Sequence, residues 1–208
     1  ASKLQENIAP IWSRWATFNP SNEVIREMEL GDFNVTERQV RENLETQAEI
    51  VFDFINRSNF GTQFYEAALD LLIGTATLKI DETDDEAMPI VFNCIPQKGI
   101  AFEEGPYGSV ETHWRRFKVK ARLLERMWLG FEASPTIRDM IDNQPDAEVE
   151  VSEGVVFDPT TKTYYGCVWV KQEERISWTE DFGFSSPWVT GRYTKVAGEI
   201  RGRGPAMQ

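Results

Sequence analysis

The sequence predicts an α+β fold in which N-terminal helices pack with small antiparallel β-sheets. In the first third of the chain, apolar residues recur with the 3.6-residue period of a helix, and after Gly74 they alternate as in strands. Short runs rich in Gly, Pro and Asp separate the alternating segments, which is typical of antiparallel hairpins. The hydrophobic fraction of 41% is sufficient for a packed core.

The segment from Thr36 to Ser58 predicts an amphipathic helix. Thr36 and Gln39 match a capping box, which marks a helix start, and residues 56–59 carry turn chemistry that marks its end. The stripe predicted to face inward comprises Val40, Leu44, Ala48, Val51, Phe52 and Ile55.

A second helix is predicted to begin near Asn59 or Thr62 and to stop at Gly74, because glycine commonly terminates helices. The two helices are expected to pack together across a short turn. The inward residues of the second are predicted to be Phe64, Ala68, Leu71 and Leu72.

Strands are predicted next. Residues 75–80 and 90–95 alternate, and the acidic run 81–86 between them is expected to be a solvated turn. Residues 100–117 predict a hairpin that turns at 105–108.

Two further helices are predicted, over 118–128 and over 134–144. Ser134 followed by Pro135 is a typical start for the latter. The inward residues of the former are predicted to be Leu123, Leu124 and Met127.

The last third predicts a long hairpin of 148–158 with 164–178, followed by irregular chain over 182–208. Glu148 to Val151 alternate acid and valine, which indicates that one face of this hairpin is wet.

The charge balance argues against a sequence-specific nucleic-acid binder. The 22 Lys and Arg residues stand against 34 Asp and Glu, for a net charge of −12, whereas such binders neutralise phosphates with clustered bases. No apolar run approaches the roughly 20 residues that span a bilayer. The first residues lack an initiator Met and the pattern of a signal peptide, so we expect that the chain is cut from a longer protein.

No catalytic, metal-binding or cofactor-binding residue is predicted. Cys94 and Cys167 are far apart without ligand-type neighbours, and each is expected to be a small buried hydrophobe. His113, the single histidine, has no nucleophile motif nearby and is expected to be structural. The acidic run 81–86 lacks the glycine and the ligand spacing of a calcium loop.

A run of bases interrupts this acidic chain, and Arg115, Arg116 and Lys118 are candidates for contacts between subunits or with a partner. The alternative that we favour is solvated charge between a strand and a helix. In an assembly, the acidic stretches 81–86 or 146–153 of a neighbour are candidate counterparts. The whole run comprises Arg115, Arg116, Lys118, Lys120 and Arg122.

A second basic group lies near the end of the sequence and is also a candidate contact. Glycines between the bases allow an anion to bind backbone N–H groups, but no P-loop pattern is present. The favoured alternative is that Gly198, Gly202 and Gly204 only let the chain turn. The bases are Arg192, Lys195, Arg201 and Arg203.

Tryptophan is abundant, with seven copies in the chain. The residues could form a platform for stacking sugars, but their scatter over different elements suits core and interface positions better. They are Trp12, Trp15, Trp114, Trp128, Trp169, Trp178 and Trp188.

Four segments together carry a family resemblance. They are residues 1–18, 58–80, 94–124 and 187–208. In this order they resemble the portal, or head-to-tail connecting, proteins of short-tailed bacteriophages, and the similarity extends over roughly Leu4 to Met207.

The resemblance implies a structural, non-enzymatic subunit of a homo-oligomeric ring of about twelve copies at the unique portal vertex of the virion. Double-stranded DNA would be packaged and ejected through the ring without sequence-specific binding. The implied partners are the major capsid protein, a tail adaptor and the packaging motor, or terminase, with no membrane. Residues 1–208 would be the N-terminal wing, without stem, clip and crown. The alternative is a monomeric aromatic-rich module that binds carbohydrate or protein.

Overall fold

The computed structural model describes residues 1–10, 13–30, 36–173 and 175–207, with the backbone alone for 27–30. These residues form an α+β fold with two small antiparallel sheets, as the sequence predicts. The helices described are α1 Ser2–Ile8, α2 Asn22–Leu30, α3 Glu37–Arg57, α4 Phe60–Ile73, α5 Leu124–Met127 and α6 Pro135–Asn143. The strands described are β1 Thr75–Glu82, β2 Ile90–Ile95, β3 Ile100–Glu104, β4 Val110–Lys120, β5 Glu148–Asp158, β6 Thr163–Val170, β7 Ile176–Gly183 and β8 Trp188–Arg192.

The chain divides into two compact units, residues 1–69 with 80–94 and residues 70–79 with 95–208. The core of the first unit is aromatic. Phe60 contacts Phe92 with ring centroids 5.0 Å apart, and Trp15 stacks on Phe60 at 6.0 Å. Trp15 also contacts Phe52 of α3 edge-on at 5.2 Å.

Helix α3 begins as predicted. The Thr36 hydroxyl accepts a hydrogen bond from the Gln39 N–H, and the Gln39 side chain accepts one from the Thr36 N–H, which completes the capping box. Ala48 and Phe52 are buried as predicted. Val51 is 37% exposed, so its predicted inward position is wrong.

Replacing Thr36 by alanine is expected to lower the free energy of unfolding by about 1 kcal/mol, because the cap at the start of α3 is lost. Chemical denaturation measures the change. The control is Thr46→Ala, since Thr46 is exposed and its hydroxyl bonds only to the Glu42 carbonyl within α3. Equal losses in the two variants would show that the cap contributes nothing special.

Helix α4 ends at Gly74, as predicted. Gly74 has φ +147°, where other residues are strained, and a Cβ there would collide with the Gly202 carbonyl. Ala68 is buried, and Phe64, Leu71 and Leu72 are half-buried.

The five-stranded sheet of the second unit has the order β3-β4-β5-β6-β7. Because side chains alternate along a strand, its inner face carries Val149, Val151 and Val155 of β5, which are at most 1% exposed. Its outer face carries Glu148 and Glu150, so one face is wet as predicted. Val155 packs with Ile95, Ile100 and Trp188. Val149 and Val151 pack in a separate cluster with Val119, Ala121, Leu124, Trp128, Phe131, Ile137, Val168 and Val170.

The predicted helix over 118–128 is wrong in its first part. Strand β4 continues to Lys120 because it pairs with β5 as far as Glu148. A 3-10 turn over Ala121–Leu123 and the short α5 follow. Leu124 is fully buried as predicted, but Met127 is 42% exposed.

The C-terminal predictions also need correction. The segment 164–178 is not one strand, because β6 ends at Val170 and β7 begins at Ile176. Residues 182–208 are not all irregular, since β8 pairs with β1 from Thr75↔Arg192 to Lys79↔Trp188. The sheet that contains them has the order β2-β1-β8.

The acidic run 81–86 is shorter as a turn than predicted. Its first two residues, Asp81 and Glu82, belong to β1. Asp84, Asp85 and Glu86 are exposed in the turn itself.

Candidate functional site

The C-terminal end of β4 and the N-terminal end of β5 carry a row of ion pairs. The antiparallel register places Lys118 opposite Glu150 and Lys120 opposite Glu148. The Lys118 Nζ lies 2.9 Å from a Glu148 carboxylate oxygen, and the Lys120 Nζ lies 2.9 Å from Asp146. The hydrogen bond to Glu148 raises the pKa of Lys118.

The remaining bases of this ladder share the same carboxylates. Glu150 lies 3.6 Å from the Arg116 guanidinium and 3.1 Å from the Lys171 ammonium. Arg122 lies 3.3 Å from Asp146. The acidic stretch 146–153 is therefore a counterpart of these bases within the same chain. We call these residues the charge ladder: Arg116, Lys118, Lys120, Arg122, Asp146, Glu148, Glu150 and Lys171.

Arg115 lies on the opposite, inner face of the sheet. Its Nε donates to a Glu153 carboxylate oxygen at 2.6 Å, and the Lys79 Nζ donates to the other oxygen at 2.7 Å. The Trp128 Nε1 also donates to Glu153, at 3.2 Å. We call Lys79, Arg115 and Glu153 the buried ion cluster. Arg115 and Arg116 thus belong to different environments.

The positive charges of Lys79 and Arg115 offset the cost of burying the Glu153 carboxylate. Burial by itself would raise the pKa of Glu153, but the charges of Lys79 and Arg115 hold it below its usual value. The guanidinium carbon of Arg115 also lies 4.2 Å from the centroid of the Phe117 ring. Glu153 is predicted only as part of the acidic stretch 146–153, although its position continues the buried alternation of Val149 and Val151.

Arg192 and Lys195 form hydrogen bonds to the hairpin of β3 and β4. Both donate to the Glu104 carboxylate, and Arg192 also donates to the Gly108 carbonyl at 2.6 Å. The hydrogen bonds from Lys195 and Arg192 lower the pKa of Glu104. These two bases connect β8 and the chain after it to the hairpin.

Arg201 and Arg203 have acceptors in the same chain as well. Arg201 donates to the Ile100 carbonyl at 2.9 Å, and its guanidinium carbon lies 5.4 Å from the Phe102 ring centroid. Arg203 pairs with Glu199. This arrangement favours a structural role for the C-terminal bases, and anion binding there stays a prediction.

The glycines of this segment do more than let the chain turn. Gly202 and Gly204 allow the backbone to lie close to the end of α4. A Cβ on Gly202 would collide with the Gly74 carbonyl, and one on Gly204 with the Leu72 carbonyl. Gly198 has φ +82°, which suits a turn.

His113 lies on the inner face of β4 and is 1% exposed. Its Nε2 lies 2.9 Å from the Thr190 hydroxyl, which lies 2.9 Å from the Thr77 hydroxyl. Its Nδ1 has no hydrogen-bond partner among the described residues. Burial lowers the pKa of His113 to about 4, so the ring is neutral near pH 7.

The tryptophans do not form one platform. Trp128 and Trp188 are 2% and 3% exposed and belong to the core, whereas Trp114 and Trp169 are 36% and 38% exposed. Trp12 lies outside the described residues. Trp178 is half-buried and donates to the Leu129 carbonyl.

The remaining chemical groups of the described residues form no recognisable reactive centre. Cys167 is buried and Cys94 is half-buried, and no disulfide joins them. No group of three or more His, Cys, Asp or Glu side chains in the described ranges could hold a metal ion. None of the helices described is long and apolar enough to cross a membrane.

Comparison with known proteins assigns the chain to a family. No curated protein sequence matches it significantly. A family model described as bacteriophage head to tail connecting protein matches residues 1–208, which is the whole chain. A match of this extent includes the charge ladder, the buried ion cluster and the C-terminal bases. The chain therefore belongs to the bacteriophage head-to-tail connecting protein family.

Proposed function

We propose that the chain is a structural subunit of a closed ring at the portal vertex of a phage head, through which genomic DNA is packaged and ejected. Membership of the connecting-protein family over residues 1–208 carries this proposal, because it gives the protein a role at the head-to-tail junction of the virion. A ring of about twelve copies presents two different faces of each subunit to its neighbours.

In this proposal residues 1–208 form the outward-projecting wing of the subunit. The partners are the major capsid protein, a tail adaptor and the packaging motor. Each of these binds a ring that the subunits have already built, so the wing needs stable surfaces rather than reactive groups.

The proposed role includes no chemistry in this chain. The one histidine is buried and neutral, with its Nε2 bonded to Thr190. A general base must instead reach its substrate. The net charge of −12 also suits a conduit, since few phosphate contacts form to hold DNA in place.

Loss of the gene in the parent phage tests the function. A nonsense mutation at an early codon is expected to leave infected cells with empty heads that lack tails, because neither packaging nor tail attachment has a vertex to use. Electron microscopy of the lysate and the DNA content of purified heads are the readouts. Filled, tailed particles at normal yield would favour the alternative of a monomeric binding module.

A further inference from the structure

Two tryptophans lie on the outer face of the five-stranded sheet, one on each side of β5. The strand register places Trp114 of β4 opposite Gly154 and Trp169 of β6 opposite Ser152, so both flank the same part of β5. A Cβ on Gly154 would come within 2.5 Å of the Trp114 indole, which therefore lies directly over β5. Both side chains keep more than a third of their surface exposed.

This part of the outer face is uncovered within the described residues. None of the three apolar clusters found there includes a side chain of the outer face. Tyr165 and Val156 next to the tryptophans are half-buried. Exposed tryptophans of this kind are typical of the centre of a protein interface, where aromatic residues are enriched.

The charge ladder borders the tryptophans and carries excess positive charge. Its five bases face three carboxylates, because Glu150 and Asp146 each pair with two bases. Two positive charges remain uncompensated in a chain whose net charge is −12. A partner for this border must therefore be acidic.

The acidic counterpart is present in the same sequence. Glu82, Asp84, Asp85 and Glu86 are exposed, and the ion pairs of the described residues include none of these four carboxylates. Like charges this close together repel each other, so a basic partner stabilises them. Apolar residues follow directly, at 87–89.

We propose that the outer face of the five-stranded sheet is a docking surface for a second copy of this chain. Trp114 and Trp169 form its centre, and residues 82–86 of the neighbour contact the charge ladder. The surface complements an acidic segment with apolar neighbours, which this chain itself supplies. A DNA backbone offers phosphates but no apolar side chains to cover the two tryptophans, so DNA is a poorer occupant. The inference rests on the proposed ring.

Charge exchange in the full-length protein tests the contact. Lys118→Glu is expected to lower the yield of rings at least tenfold at low salt, and the double variant Asp84→Lys with Asp85→Lys is expected to do the same. Combining all three substitutions is expected to restore the yield to within about twofold, since the attractive pairs reform in reverse. Native mass spectrometry measures the yield.

Matched controls separate assembly from folding. Lys162→Glu makes the same charge change in the turn after β5, away from the ladder, and is expected to leave ring yield unchanged. Circular dichroism and thermal melting confirm that each variant is folded.

Trp114→Ala is expected to lower the yield of rings at all salt concentrations, because its contact is apolar.

A disulfide gives a direct readout. In a chain that carries both Lys118→Cys and Asp85→Cys, mild oxidation is expected to form disulfides between neighbouring copies. A non-reducing gel would then show a series of covalent multimers. Rings of wild-type yield from Lys118→Glu, no recovery in the combined variant, or loss of tail attachment without loss of rings would each overturn the docking surface. A wild-type protein that forms no ring would instead overturn the proposed function.

Discussion

Replacing Glu153 by alanine is expected to lower the free energy of unfolding by about 3 to 5 kcal/mol, the usual cost of breaking a buried ion pair. The variant removes the buried carboxylate that Lys79 and Arg115 both contact, and with it the acceptor of the Trp128 Nε1. Chemical denaturation at neutral pH measures the loss.

The control for this variant is Glu148→Ala. Glu148 also pairs with a base, Lys118, but its side chain is 63% exposed, and exposed ion pairs contribute at most about 1 kcal/mol. A loss below about 1 kcal/mol in Glu153→Ala, or equal losses in the two variants, would contradict the importance of the buried ion cluster.

The second large effect is a loss of stability in acid that depends on His113. Burial lowers the pKa of this residue from 6.5 to about 4, so the folded state favours the neutral ring. This contribution to stability is complete above pH 6.5 and is lost progressively as the pH falls from 6.5 to about 4. The shift corresponds to about 3 kcal/mol of unfolding free energy.

Comparison with His113→Gln isolates this contribution from the carboxylates that titrate in the same range. The free energy of unfolding of each protein is measured from pH 7 to pH 4. We expect the difference between wild type and variant to shrink as the pH falls. A difference that stays constant over this range would show that the histidine does not titrate as the buried environment requires.

Local signals made the helices predictable. The capping box at Thr36 and the pair Ser134 and Pro135 act within one turn of chain, and both helices begin where these residues predict. Gly74 likewise ends α4. Such signals do not depend on the rest of the fold.

The strand errors arose where distant parts of the chain decide the structure. Strand β8 exists because it pairs with β1, more than a hundred residues earlier. Its Gly and Pro neighbours suggest irregular chain to a local analysis. Lys118 to Lys120 belong to β4 because β5 is available to pair with them.

The candidate site was predictable by residue type but not by face. Arg115 and Arg116 belong to one run of bases in the sequence, yet in a strand neighbouring side chains point to opposite faces. Applying the two-residue period of a strand to this run of bases would have placed Arg115 and Arg116 on opposite faces. The same period would have placed Glu153 with the buried valines, where an acid needs a base as partner.

Cryo-electron microscopy of the assembled connector tests the account most directly. We expect a closed ring in which Trp114 and Trp169 of each copy are buried against its neighbour, with residues 82–86 of that neighbour beside Lys118. A protein that stays monomeric at all concentrations, or a ring in which both tryptophans remain in solvent, would contradict it.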